Sequence, residues 1–429
     1  MKVDVARPAV GRLKRVRLDA LADAMAAAAV ISLPWSTTAT GILVTLWLIL
    51  LIPTLDLDAV KRALATPAGG LPVLLWLMAV VGMLWADVSL AERLKGLEPF
   101  HKLLAIPLLL AQFRRSGHAL WVSVGFLLSC TVLLIVSYAH ALSFGTLAWA
   151  TGLPGVPVKD YITQSGVFAI CILGLLYVLA DAWLAGRRRL ALALAGLAAL
   201  FVADIVYVTT SRTTLVAIPI LIMVFGLMRL GLKGGLGLVA GCAAIAAILW
   251  VSSPYMRFRV SSVENEVLLY RAEDAVTSSG LRMEFWRKSL QFVAQAPLTG
   301  HGTGTIHALF SNAVTPGGGA SSVASSNPHQ QILAVAIQLG LMGAVVLIAM
   351  WTAHLIMFAE LGLVAWCGLI VVTQNLVGSM FNSHLLDFTQ GWLYVFGVGV
   401  FGGALLKQNA MSGQLASEAH ATRALSNPA

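Results

Sequence analysis

The sequence predicts an all-α integral membrane protein with about twelve transmembrane helices and a helical extramembrane segment between the ninth and tenth. Three observations predict it. The 429 residues are 59% hydrophobic and only 11% charged, with a mean hydropathy of +0.86, whereas ordinary soluble domains carry about 25% charged residues. A soluble chain so short of charge could not cover its own surface. Apolar runs recur at a length suited to hydrocarbon, a span needing roughly 20 such residues with a range of about 17–25. Basic residues cluster in alternate loops between these runs, as the positive-inside bias requires.

Taken in order, the runs cover 20–34, 37–54, 70–86, 100–113, 118–141, 161–184, 190–209, 213–229, 234–252, 329–357, 360–380 and 386–406. The first is short, bordered by Asp19 and interrupted by Asp23, and the fourth is also short. "MKVDVARPAVGRLKRVRLDA" is basic but leads to no small-residue cleavage site, so the first helix is expected to insert and stay. With both termini inside, the cytoplasmic face collects Lys2, Arg7, Arg12, Lys14, Arg15 and Arg17. It also collects Lys61/Arg62, Arg114/Arg115, Arg187/Arg188/Arg189, Arg229/Lys233 and Lys407 with Arg423. Topology therefore accounts for the net charge of +9, and no nucleic-acid partner is needed. The four cysteines, Cys130, Cys171, Cys242 and Cys367, lie inside apolar runs as packing residues, with neither a disulfide framework nor metal-ligand spacing. The chain divides into membrane helices (1–252), an outer segment (253–328), three further spans (329–406) and a polar cytoplasmic tail (407–429) expected to be disordered. No internal repeat is evident.

The outer face, periplasmic in a Gram-negative cell, holds the long segment 253–328. Two helical stretches, "VENEVLLYRAEDAV" and "LRMEFWRKSLQFVAQ", are followed by "PLTGHGTG" and a loop, "TPGGGASSVASSN". Loops beyond about 12–15 residues are functional or disordered, and this one has helices of its own. "GHGTG" lacks the preceding strand of a nucleotide loop and reads as a tight turn ending a helix.

Several cations break the charge rule by falling outside: Arg93, Lys95, Lys102, Lys159, Arg212, Arg257, Arg259, Arg271, Arg282, Arg287 and Lys288. Arg212, in "YVTTSRTTLV", sits between two spans with almost no loop, where an ionisable residue is functional by default; the alternative is a snorkelling helix end. Arg282 shares a helix face with Trp286 at four-residue spacing, or belongs, as Arg287 and Lys288 are expected to, to a solvated face of an interfacial helix. Arginine suits a diphosphate, because its planar guanidinium bonds two phosphate oxygens at once and never deprotonates. Lys102, beside His101 in "EPFHKLLAIP", extends such a site or merely snorkels. No metal site is expected, since "ENE" (264–266), "ED" (273–274), His301 and His307 lack ligand spacing. In "SSNPHQQIL", Pro328 can begin a helix, which would put His329 in the first turn of the tenth span. A neutral imidazole there can take up a proton; the alternative is a helix cap.

These pieces resemble the O-antigen ligase family, part of a wider ligase and polymerase superfamily. The resemblance rests on "SRTTLVAIP" with Arg212, on Arg282 and Trp286 running into "PLTGHGTG", and on "PHQQILAVAIQLGLMG". Family members often have asparagine after the histidine, where this chain has Gln330. The resemblance implies a GT-C-like membrane glycosyltransferase that moves a polysaccharide from undecaprenyl diphosphate to lipid A-core outside the inner membrane. Arg212 and Arg282 would hold the diphosphate. His329 would deprotonate the attacking hydroxyl, with inversion and with arginine in place of a metal or other cofactor. Lys102 and Trp286 would be lesser substrate contacts. An O-antigen polymerase, a protein O-oligosaccharyltransferase and a lipid-linked sugar flippase or transporter stay open. A transporter would favour charge deep within several spans and internal symmetry.

Overall fold

The computed structural model describes residues 7–143, 153–209, 211–252 and 254–426, and all regular structure among them is helical. The amino-terminal part runs α1 (Arg7–Ser32), α2 (Thr37–Leu51), α3 (Leu57–Leu64), α4 (Pro67–Gly82), α5 (Leu90–Leu97), α6 (Ala105–Phe113), α7 (Ala119–Leu142), α8 (Tyr161–Leu184) and α9 (Arg188–Asp204). There follow α10 (Arg212–Ser252), α11 (Pro254–Glu273), α12 (Ser278–Gln295), α13 (Ile306–Asn312), α14 (Gln331–Met357), α15 (Leu363–Ser379) and α16 (Phe388–Ser426).

Each of the twelve apolar runs is mostly helical, yet among the described residues seven helices are long and apolar enough to cross a membrane, α10 and α14 among them being broken, or eight if the bent pair α3–α4 makes one span. The chain is a multi-pass membrane protein. Runs and spans differ for local reasons. Run 100–113 is a 3-10 turn (Glu98–Leu104) continued by the nine residues of α6, and α15 has only 17 residues. Runs 213–229 and 234–252 both fall in α10, which breaks at Gly231 (φ 67°, ψ −175°).

At Gly231 the chain turns back. A Cβ on Gly226 would stand 2.8 Å from the Gly235 Cα, whereas nine residues of straight helix would separate the two by about 13–14 Å. α14 breaks in the same way at Gly340 (φ 66°, ψ −168°). Here a Cβ on Gly343 would lie 3.1 Å from Val335 Cγ1, eight residues earlier. Both breaks carry the same five-residue pattern: Leu230-Gly231-Leu232-Lys233-Gly234 and Leu339-Gly340-Leu341-Met342-Gly343. In each, a Cβ on the second glycine would stand 2.4 Å from the first leucine's Cβ. So short a repeat escaped the sequence reading.

A broken helix leaves backbone groups without partners, and in hydrocarbon each must be paired within the protein. The "PLTGHGTG" turn supplies the partners for α14. The amides of His301 and Gly302 donate to the Ile337 and Gln338 carbonyls at 2.8 and 2.9 Å, while the Leu341 amide donates to the Pro297 carbonyl at 2.8 Å. Thr303 ties the same turn to α4, its hydroxyl donating to the Ala79 carbonyl at 2.6 Å. The turn is thus a plug that completes a broken helix.

α16 is the central helix, with 89% of its apolar window buried. Its glycines admit α6 closely: a Cβ on Gly403 would lie 2.8 Å from the Leu110 carbonyl oxygen. The tail expected to be disordered instead continues α16 to Ser426, its "NAMSGQLASEAHATRAL" being rich in good helix formers. Cys130, Cys171 and Cys367 are buried and unbridged, while the Cys242 side chain lies outside the described residues.

Candidate active site

α12 is where the site begins. Thr277 caps it by accepting from the Gly280 amide at 3.0 Å. Its apolar face, Phe285 and Phe292, packs edge-on against Phe310 and joins Ile306, Ala334 and Ile337 in a small core beneath the site. Glu284, on the same helix, is buried. Against the cost of that burial, bonds from Arg287 (2.6 and 2.9 Å) and Tyr270 (2.7 Å) hold its carboxyl down to about 2. Lys288 lies 3.4 Å from Glu284 and donates to the Ser321 carbonyl at 2.7 Å. Lys288 is therefore buried, contrary to the solvated face expected for it; only Arg287 is exposed. Asp274 completes a clasp on the glycine-rich loop, accepting from the Ser321 amide at 3.1 and 3.2 Å and from its hydroxyl at 2.5 Å.

Beyond the clasp the chain reaches "NPHQQ". The tenth apolar run does not become helical at His329. α14 starts at Gln331, capped by Gln330, whose side chain accepts from the Leu333 amide at 2.6 Å. Gln331 reaches across instead, its Oε1 accepting from the Leu385 and Leu386 amides at 3.0 and 3.3 Å. His329 itself is left-handed, with φ +54°, a region histidine visits more readily than bulky residues do.

Three elements fix it there. The Trp286 indole donates to the His329 carbonyl at 3.4 Å, and the Phe285 ring stacks on the imidazole at 5.9 Å and 15°. The His329 amide donates to Asn327 Oδ1 at 2.8 Å, and its Nδ1 lies 3.2 Å from Asn382 Oδ1. Burial pushes the imidazole below its ordinary 6.5; the nearby Arg282 charge adds to this and the Asn382 bond opposes it. Burial and the Arg282 charge both favour the neutral form of the ring.

Of the residues singled out in the sequence, His329, Arg282 and Trp286 thus converge. Arg212 opens α10, but its side chain lies outside the described residues. The hydroxyls around it dock α10 on α8, Thr214 and Ser165 being 2.7 Å apart. Lys102 does not snorkel. It is buried and donates to the Asp387 and Leu386 carbonyls at 2.5 and 3.3 Å, bracing the 380–387 loop that carries Asn382. Sequence reasoning missed Asn327, Asn382 and Ser383; the one signal was "NSH" (382–384), a polar break between two apolar runs. Among the described residues no three His, Cys, Asp or Glu side chains converge.

Residues 197–348 match the model of the O-antigen ligase family. That segment is an O-antigen ligase domain. No curated protein matches the chain. The O-antigen ligase domain runs from within α9 to within the second half of α14, taking in Arg212, Arg282, Trp286 and His329 but neither Lys102 nor Asn382. Its activity is of the O-antigen ligase and polymerase kind, a glycosyltransferase-like step in glycan assembly on lipid-linked substrates.

Proposed function

We propose that the protein is an O-antigen ligase. In this reading it transfers a polysaccharide from undecaprenyl diphosphate to lipid A-core at the periplasmic face of the inner membrane, with both termini cytoplasmic and the architecture GT-C-like. The observation that carries it is the neutral His329 imidazole lying within reach of the Arg282 charge, beside a span start. Arg282, with Arg212, holds the diphosphate by charge-assisted bonds. Trp286 braces the His329 backbone. The acceptor hydroxyl oxygen attacks the anomeric carbon as the bond from that carbon to the diphosphate oxygen breaks, and the configuration inverts. His329 takes the hydroxyl proton, a contribution of about 10²–10⁴-fold. The diphosphate leaves as an anion stabilised by arginine, and His329 then returns its proton to water.

The test is transfer by purified protein supplied with undecaprenyl-diphosphate glycan and lipid A-core in EDTA. Glycan joined to lipid A-core is the expected product. A lengthened donor with unmodified lipid A-core would replace the ligase with the polymerase, and no product of either kind would overturn the reading.

A further inference from the structure

Asn382 stands outside the O-antigen ligase domain, on the loop between α15 and α16. We propose that Asn382 is the positioning residue of His329: its carbonyl fixes the imidazole as the Nδ1–H tautomer and leaves Nε2 as the atom that takes the acceptor proton. The proposal rests on the reading of His329 as the base.

The argument turns on which way two amides face, and backbone donors decide it. The Ser383 amide donates to Asn382 at 2.9 Å, so the atom it meets is the Asn382 oxygen. The His329 amide likewise donates to Asn327 at 2.8 Å, and the Ser383 hydroxyl donates to the same oxygen at 2.7 Å. Asn327 must therefore turn its NH₂ toward Asn382 Oδ1, 3.0 Å away. Asn382 Oδ1 is then an acceptor only, and it faces His329 Nδ1 at 3.2 Å. Two lone pairs at that distance would repel, so Nδ1 carries the hydrogen, and in a neutral imidazole the other nitrogen is bare. Phe285 stacked on the ring face and Trp286 bonded to the carbonyl hold the plane of the ring and the backbone that carries it, and the bond to Asn382 is what keeps Nδ1 on that side. A base oriented by a third group is the arrangement that general-base sites repeat.

An amide suits this place better than a carboxylate. The charge acting on His329 is Arg282 on α12, while Glu284 on the same helix is engaged by Arg287 and Lys288, and Asp387 on the Asn382 loop faces Lys102, Lys159 and His384. His384 on that loop is neutral, burial pushing it down to about 4. A carboxylate at 382 would raise the basicity of His329 and compete with a diphosphate for Arg282.

The test joins a direct reading of the tautomer to kinetics. The full-length protein, labelled with ¹⁵N-histidine and held in nanodiscs, is examined by ¹⁵N NMR, with the His329 signal identified by its loss in His329→Ala. The expected result is Nδ1–H in wild type and a mixture of tautomers in Asn382→Ala. An Nε2–H imidazole in wild type overturns the proposal, whether or not the protein transfers glycan. In the transfer assay Asn382→Ala should lose about 10²-fold in kcat, the lower end of what a general base contributes, with donor KM within about twofold. The near-isosteric Asn382→Asp should retain the fold and move the acid limb of the pH profile upward by about one unit or more, a full unit corresponding to about 1.4 kcal/mol. An unmoved limb in Asn382→Asp, or unchanged kcat in Asn382→Ala, also overturns it. If wild type transfers nothing yet shows Nδ1–H, the functional reading fails and the geometry stands.

Discussion

A non-glycine residue in the left-handed region costs roughly 1–2 kcal/mol, and at His329 hydrogen bonds to Asn327 and Asn382 and from Trp286 offset that cost. Left-handed backbone lifts the histidine off the helix that its sequence position suggested and sets its ring between Phe285 and Asn382. Because burial and Arg282 both lower its proton affinity, the acid limb of kcat/KM should lie below the ordinary 6.5. Removing the cation reverses one cause: Arg282→Gln should shift that limb to higher pH. The same variant should lower kcat/KM by about 10- to 10²-fold, the equivalent of one charged hydrogen bond at about 1.5–3 kcal/mol. A pH-rate profile of both proteins checks each point. His329, Arg282 and Trp286 were legible because each stands out locally, as a cation on the wrong face, an aromatic one turn away, or a histidine at a span's edge. Asn382 was not, since an asparagine 53 residues further on acquires meaning only when α15 brings its loop back to α14.

Two helices in this chain are broken at the same five-residue pattern, four positions of which are identical, and the partners of the breaks differ. Both glycines occupy a region of φ and ψ that is essentially glycine's alone, at about 1–3 kcal/mol for other residues. Around Gly231 nothing stands within 4 Å of a built Cβ, whereas at Gly340 it would meet the Leu298 carbonyl oxygen at 2.1 Å. Gly231→Ala should therefore cost the strain alone, and Gly340→Ala should cost more, displacing the plug and lowering the thermal midpoint further in detergent. Equal midpoints would contradict the plug. The Asp274–Ser321 clasp is a second element-scale device. Asp274→Ala should reduce transfer by loosening the segment that leads to His329, with a change in midpoint smaller than that of Gly340→Ala. The two helices of segment 253–328, α11 and α12, could be read directly from charge and apolar spacing. The break in α14 could not, because hydropathy is blind to a reversal inside an apolar run, whereas the turn at Gly231 falls between two runs already separated at Arg229 and Lys233.

Across the whole molecule, membrane class followed from composition, while the number of crossings depended on lengths and turns that composition does not encode. α6 is nine residues, and α14 breaks within a single apolar run. The proposed sidedness has its own test: single cysteines at Thr315 and Arg188, both exposed, with the four native cysteines replaced by serine. A membrane-impermeant maleimide applied to intact spheroplasts should label Thr315→Cys and spare Arg188→Cys. The central claim, outer-face glycosyl transfer with His329 as base, is tested most directly by comparing wild type and His329→Ala in the purified transfer assay, with thermal midpoints measured on the same preparations. The account predicts that wild type glycosylates lipid A-core and that the variant, folded to a similar midpoint, loses about 10²-fold or more of that rate. Equal rates in the two proteins would contradict it.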